Sequence, residues 1–353
     1  MRDAWWIAVD VLAQAREACE RWLFGQRHAL TALALCRILL GSAVFLTLAV
    51  NFSERSLWVG NGSIWAEPAR DATAFPELWL VRNATDGVVT VVYAVTVFFS
   101  LALVFGWYTK VANAMTFVGF VAIAGQNPMI GASSDNAVRL ALLWLLLTAC
   151  GERCSLDSRR KELKIAMAGG GQRVRDAYEA LPKWLGVSLH NIGVLGLAVQ
   201  TVLLYTTAGF DKIARSAWRS GEALYYTTQL PEFRPFPAIS DAVSSSSVVL
   251  ALLTYAVLLT QLFFAPLMLT RPSRVIAVTV ALIVNIFFAV VFGSVTASLA
   301  IMAVTFVVFP DDLLEERIDW LAEIMEPVVA WWDDVWFKIT EPWYDFTDRF
   351  RRG

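Results

Sequence analysis

The chain has 353 residues, 57% of them hydrophobic and only 17% charged, with a mean hydropathy of +0.55. Soluble domains carry about 25% charged residues, and the apolar excess here is gathered into runs near the roughly 20 helical residues that cross a bilayer core, so a soluble globular reading is excluded. The net charge of -2 offers no basic surface to phosphates, which excludes nucleic acid as a partner.

In chain order, residues 4–23 come first. Trp5, Val9, Leu12, Cys19 and Leu23 recur near one face at helical spacing, which predicts an amphipathic helix lying at a membrane interface. Arg2, Arg16, Arg21 and Arg27 alternate with Asp3, Glu17 and Glu20, too long and too acidic a stretch for a cleavable signal. Apolar runs then predict eight spans, at 30–52, 88–107, 111–126, 137–151, 191–209, 247–269, 275–292 and 294–309. Between the fourth and fifth, residues 159–185 hold Arg159, Arg160, Lys161, Lys164, Arg173 and Arg175 around Gly169–Gly171, and read as a solvated linker near anionic headgroups. The tail places Trp320, Trp331, Trp332, Trp336 and Trp343 among acids, the pattern of an interfacial or partner-docking helix. The expected fold is therefore all-α: a polytopic membrane helix bundle of about eight spans, with amphipathic interfacial helices at both ends. Its divisions are residues 1–29, 30–309 and 310–353.

Positive charge sets the expected orientation. With the N-terminus inside, the inside segments carry twenty Lys/Arg and the outside loops seven. The bias places both termini in the cytoplasm.

Cysteine chemistry is sparse. Cys150 and Cys154 have the i, i+4 spacing of one helix face, yet no second Cys/His pair follows, and His28 and His190 stand apart in the sequence. Small buried apolar residues account for the cysteines better than a metal site does.

Charges inside apolar runs carry more information, because burying them in a membrane is costly. Arg37 lies within the first run; Asp135 and Arg139 open the fourth at i, i+4 spacing. These either serve a site or hold helices together. The stretch from Tyr205 to Tyr226 is the densest in chemistry: an apolar helix leaves the membrane and presents Asp211 and Lys212, then Trp218, Gly221, Tyr225 and Tyr226. A lysine beside apolar surface has its charged form disfavoured, which makes it a usable base. The alternative is a snorkelling lysine paired with Asp211.

Three segments resemble one family. They are Arg37-Ile-Leu-Leu-Gly41 with the loop Gly60-Asn61-Gly62, then Asp135-Asn136-Ala-Val-Arg139 running on to Gly151-Glu-Arg-Cys-Ser155-Leu-Asp157, and Ala208-Gly209-Phe-Asp-Lys212 with Trp218, Gly221 and Leu224. In this order they resemble the HTTM family, the horizontally transferred transmembrane domain shared with vitamin K-dependent γ-carboxylase. The resemblance implies that Lys212 is a catalytic base that deprotonates a reduced quinone. It implies a substrate site drawn from Arg37, Asp135, Asn136, Arg139, Trp218, Tyr225 and Tyr226. It departs from the carboxylases in three ways: no histidine stands in residues 127–150, Asp211 replaces the neighbouring lysine, and only about forty residues follow the last span. Protein carboxylation is therefore not expected, while chemistry on a quinol or another lipid-soluble substrate is. The other function it implies is non-catalytic: the sporulation-delaying peptide-toxin system contains a similar HTTM protein that works with peptide or protein partners in maturation. A transporter reading lacks an inverted repeat.

Overall fold

The computed structural model describes residues 2–66, 81, 83–126, 131–167 and 182–320. The described residues are helical with no strand. The long helices are α1 (Arg2–Phe24), α2 (Leu30–Val50), α3 (Asp86–Phe105), α4 (Thr109–Ala124), α5 (Ser133–Leu147), α6 (Leu156–Met167), α7 (Lys183–Ala214), α8 (Ser247–Leu262), α9 (Arg271–Val291) and α10 (Val295–Phe306). They belong to one compact unit, residues 1–309; residues 310–353 form a second, in which Asp311–Trp320 is helical.

Against the eight expected spans, the described residues give four to six candidates by length and composition. Among the described residues, four helices, α2, α3, α7 and α9, are long and apolar enough to cross a membrane, and six if two bent helix pairs each count as one. Helices α4 and α5 have 16 and 15 residues, about 24 and 22 Å of rise, short of a bilayer core of about 30 Å. The run 247–269 breaks after Leu262 into α8 and a short helix, Phe264–Leu267. Pro266 removes a backbone donor there. The expected linker also starts as α6, so residues 159–167 are helical rather than loop; residues 168–181 and the tail beyond Trp320 lie outside the described residues. Residues 4–23 do form one helix, α1, which packs against α7.

Helix α2 is the hub, packed against α10, α3 and α5. Close crossings rely on small residues, as is usual where lipid removes the hydrophobic drive between helices. A Cβ on Gly196 would come within 2.4 Å of the Trp144 ring, so α5 and α7 touch through that pair. At Gly209 a Cβ would meet the Leu262 nitrogen at 2.8 Å, which brings α8 against the far end of α7. Polar side chains inside the bundle bond between helices: Gln200 donates to the Ala137 carbonyl at 2.8 Å, Thr201 to that of Val304 at 2.9 Å, and Asn285 to the Tyr205 hydroxyl at 3.1 Å. In hydrocarbon each such group needs a protein partner.

The outside of the bundle is apolar. Val91, Val95, Phe98 and Phe105 on α3, and Ile276, Ile283, Ile286 and Val290 on α9, are all exposed. Long helices with apolar residues turned outward take lipid as their solvent.

Candidate functional site

Two of the sequence's charged positions turn out to be joints of the scaffold. Arg37 on α2 is 0% exposed. Its Nε donates to the Cys150 carbonyl at 3.2 Å, Nη1 to those of Leu103 at 2.6 Å and Val104 at 2.9 Å, and Nη2 to that of Cys154 at 2.6 Å. Leu103 and Val104 lie in the last turn of α3, where carbonyls lack the i+4 donors of the helix interior; that of Leu103 also accepts from the Gly106 nitrogen at 3.2 Å. Gly106 follows in the left-handed region, φ +67°, where a Cβ would meet Ser155 Cβ at 2.3 Å and Arg37 Nη1 at 2.6 Å. Arg37 thus clamps the end of α3 to the turn after α5, and its guanidinium has no surface left for a ligand.

Asp157 works beside it. Its carboxylate accepts from the Tyr108 and Thr109 nitrogens at 3.0 and 2.7 Å and from the Thr109 hydroxyl at 2.7 Å, capping α4. A carboxylate at a helix N-terminus satisfies orphan N–H groups and complements the helix dipole. The Gly151–Asp157 segment is therefore a connector built from caps.

The two histidine positions meet across the fold. The Ala149 nitrogen donates to His190 Nδ1 at 3.0 Å, so the proton sits on Nε2, which lies 2.7 Å from the His28 carbonyl. This is a neutral, doubly bonded ring. Asn191 beside it donates to the carbonyls of Trp22, Leu23 and Gln26, closing the end of α1. Nothing in the local sequence marks Asn191 for that task. Helix α5 ends at Leu147, so Cys150 and Cys154 sit on a turn rather than on one helix face; Cys150 is buried, but Cys154 is exposed with φ +50°. Small buried residues therefore describe only one of the pair.

Lys212 lies in the last turn of α7 and is half-buried. Its ammonium stands 5.2 Å from the centre of the Trp218 ring, a cation–π contact. Asp211 does not engage it: the carboxylate turns to Arg215 at 3.0 Å, an exposed i, i+4 pair. Trp218 packs in turn against a cluster around Leu224, Leu250 and Phe292. Tyr225 and Tyr226 are exposed, their rings edge to face at 5.9 Å.

Asp135 is elsewhere. It opens α5, where its Oδ2 accepts from the Ala132 nitrogen at 2.8 Å. Arg139 donates to the Asn136 side chain at 3.3 Å. Asp135 lines a cavity of 320 Å³ shared by α2, α3, α4 and the short helix Arg55–Trp58. Trp58, Tyr93 and Phe120 form its aromatic wall, and Lys212 is not among its lining residues. Gln200 of α7 is level with Ala137, and Lys212 is twelve residues further along α7, so it stands about 15 Å beyond Asp135 along the axis. The residues grouped into one expected site thus fall at two levels of the bundle.

These features define a polytopic helical membrane protein with polar groups held between its helices. Residues 176–312 match the family model described as the HTTM domain. That stretch contains α7 to α10 with Lys212, Trp218, Tyr225 and Tyr226; Arg37 and Asp135 lie before it. No curated protein and no solved structure matches the chain.

Proposed function

We propose that this HTTM-type membrane protein is an enzyme acting on a quinol or another lipid-soluble substrate at the outer leaflet, with Lys212 as the base. The observation that carries this reading is the Lys212 environment. Its amine lies against the Trp218 ring while Asp211 is occupied by Arg215. A carboxylate bonded to Lys212 would hold it protonated; here the Asp211 carboxylate bonds to Arg215 instead. An apolar ring beside the amine also marks a place where an amphiphile's head group fits. Extraction of the purified protein with organic solvent, followed by mass spectrometry, is expected to recover a quinone in amounts comparable to the protein. Recovery of bulk phospholipid alone would end the quinol reading.

One observation favours a second reading, an accessory role in peptide maturation with a peptide or protein partner. Tyr225, Tyr226, Phe233 and Phe236 are exposed on the segment between α7 and α8. Exposed aromatic residues in a row suit a docking surface.

Both readings need Lys212 outside. The twenty-to-seven Lys/Arg bias supports cytoplasmic termini in the cell membrane. In a chain with Cys19 and Cys154 changed to serine, a cysteine at Arg160 is expected to resist a membrane-impermeant thiol reagent in intact cells. A cysteine at Tyr226 is expected to react. The opposite labelling would reverse the orientation.

A further inference from the structure

We infer that the turn between α3 and α4, together with the first turns of α6, binds the phosphate of an anionic phospholipid whose acyl chain lies along α4. The sequence alone puts residues 159–185 near anionic headgroups as a loop; the fold supplies a site built from two segments, at the opposite end of α7 from Lys212 and independent of it. Asp157 joins the two. Its nitrogen donates to the Gly106 carbonyl at 3.1 Å, and its carboxylate accepts from the nitrogen of Tyr108, 49 residues earlier, and from that of Thr109. Tyr108 is held there at φ +45°, a left-handed conformation that a bulky residue rarely takes. Its ring is exposed, and the Arg160 guanidinium stands 5.8 Å from the ring centre.

Lys110, Arg160 and Lys161 on these segments have no carboxylate partner among the described residues. Lys110 uses two of its three donors on the Leu146 and Thr148 carbonyls at the end of α5. The nearby acids are committed elsewhere, Glu152 to Arg27 and Asp157 to the start of α4. That leaves Glu162 as the other acid of α6, beside Arg159, Arg160 and Lys161. Guanidinium and ammonium groups without a counter-charge suit phosphate, which Arg grips through paired N–H groups and Lys meets as a point charge. Apolar surface decides between a lipid and free phosphate. Val111, Met115 and Val118 are exposed and recur at i, i+4 and i+7, so they form one stripe. It begins three residues after Tyr108 and ends about 15 Å along α4 from it. Phe105 and Leu156, on the two segments, are exposed as well. An acyl chain covers such a stripe, and free phosphate has no use for it. Basic groups at the ends of membrane helices recognise anionic lipid in this way.

The test presents the full-length protein in detergent with equal amounts of dioleoyl phosphatidylglycerol and dioleoyl phosphatidylcholine, and reads the retained lipid by native mass spectrometry. Phosphatidylglycerol is expected to be retained about tenfold over phosphatidylcholine, as several basic groups near one anionic headgroup require. Arg160→Gln should lower that preference about fivefold, the effect of one basic residue. Lys161→Gln should do the same, which keeps the inference testable if Arg160→Gln fails to fold. Met115→Glu, on the stripe, should weaken retention of both lipids. Arg219→Gln removes an exposed arginine between α7 and α8 and should leave the preference unchanged. Equal retention of the two lipids would overturn the inference, as would a preference lowered as much by Arg219→Gln as by Arg160→Gln. Displacement of phosphatidylglycerol by millimolar inorganic phosphate, with Met115→Glu lacking effect, would overturn it in favour of a free-phosphate site.

Discussion

Replacing Arg37 with alanine is expected to destabilise the protein by at least about 3 kcal/mol, comparable with breaking a buried charged network. The guanidinium makes four bonds to carbonyls of Leu103, Val104, Cys150 and Cys154. Each buried polar group left unsatisfied costs about 1–3 kcal/mol, and the Cys150 carbonyl lies in a buried contact. The loss is also structural in kind, because the side chain ties the end of α3 to the turn after α5, beside the Asp157 nitrogen's bond to the Gly106 carbonyl. Arg37→Lys is expected to rescue little. An ammonium is a point charge with three donors, whereas the planar fork reaches two backbone segments at once. The measurement is thermal unfolding in detergent, followed by the fraction of monodisperse protein in size-exclusion chromatography. Wild-type behaviour of Arg37→Ala would show that the clamp contributes nothing. A ligand-binding role for Arg37 would then regain its place.

Lys212→Ala is expected to abolish turnover of a quinol substrate while leaving folding and membrane insertion intact. The first half follows from the proposed chemistry, since no other amine in the described structure stands against Trp218. The second follows from the surroundings: Lys212 is half-buried, makes no salt bridge to Asp211, and its cation–π contact is worth about 0.5–1 kcal/mol when partly exposed. Lys212→Arg separates base from charge. Guanidinium keeps the positive charge and the contact with Trp218 but does not give up its proton near neutral pH. Loss of activity in both variants supports a base. Activity retained in the arginine variant would mean that positive charge suffices, and the accessory reading would gain.

The sequence by itself determined the solvent and the principal spans. The apolar runs read at 30–52, 88–107 and 275–292 correspond to the helices α2, α3 and α9, because run length and hydropathy are local properties that a bilayer reads directly. It also placed Lys212 at the end of an apolar helix beside a carboxylate, while the structure pairs that carboxylate with Arg215, a spacing that a helix permits. Only the tertiary structure decided what the remaining polar residues do. Arg37 looked like a site charge, yet its bonding partners lie 66 to 117 residues away, and no local pattern says which carbonyls will be carried within reach. The same holds for Asn191 closing α1 and for His190 meeting His28. The short α4 and α5 are a matter of length that hydropathy blurs: their apolar runs continue past the helix ends into turns that pack inside the bundle. Asp135 and Lys212 were grouped because their segments occur in one family's order, but order along a chain does not fix height along a helix. The antiparallel packing of α5 on α7, set by Gly196 under Trp144 and by Gln200 on Ala137, put them at separate levels.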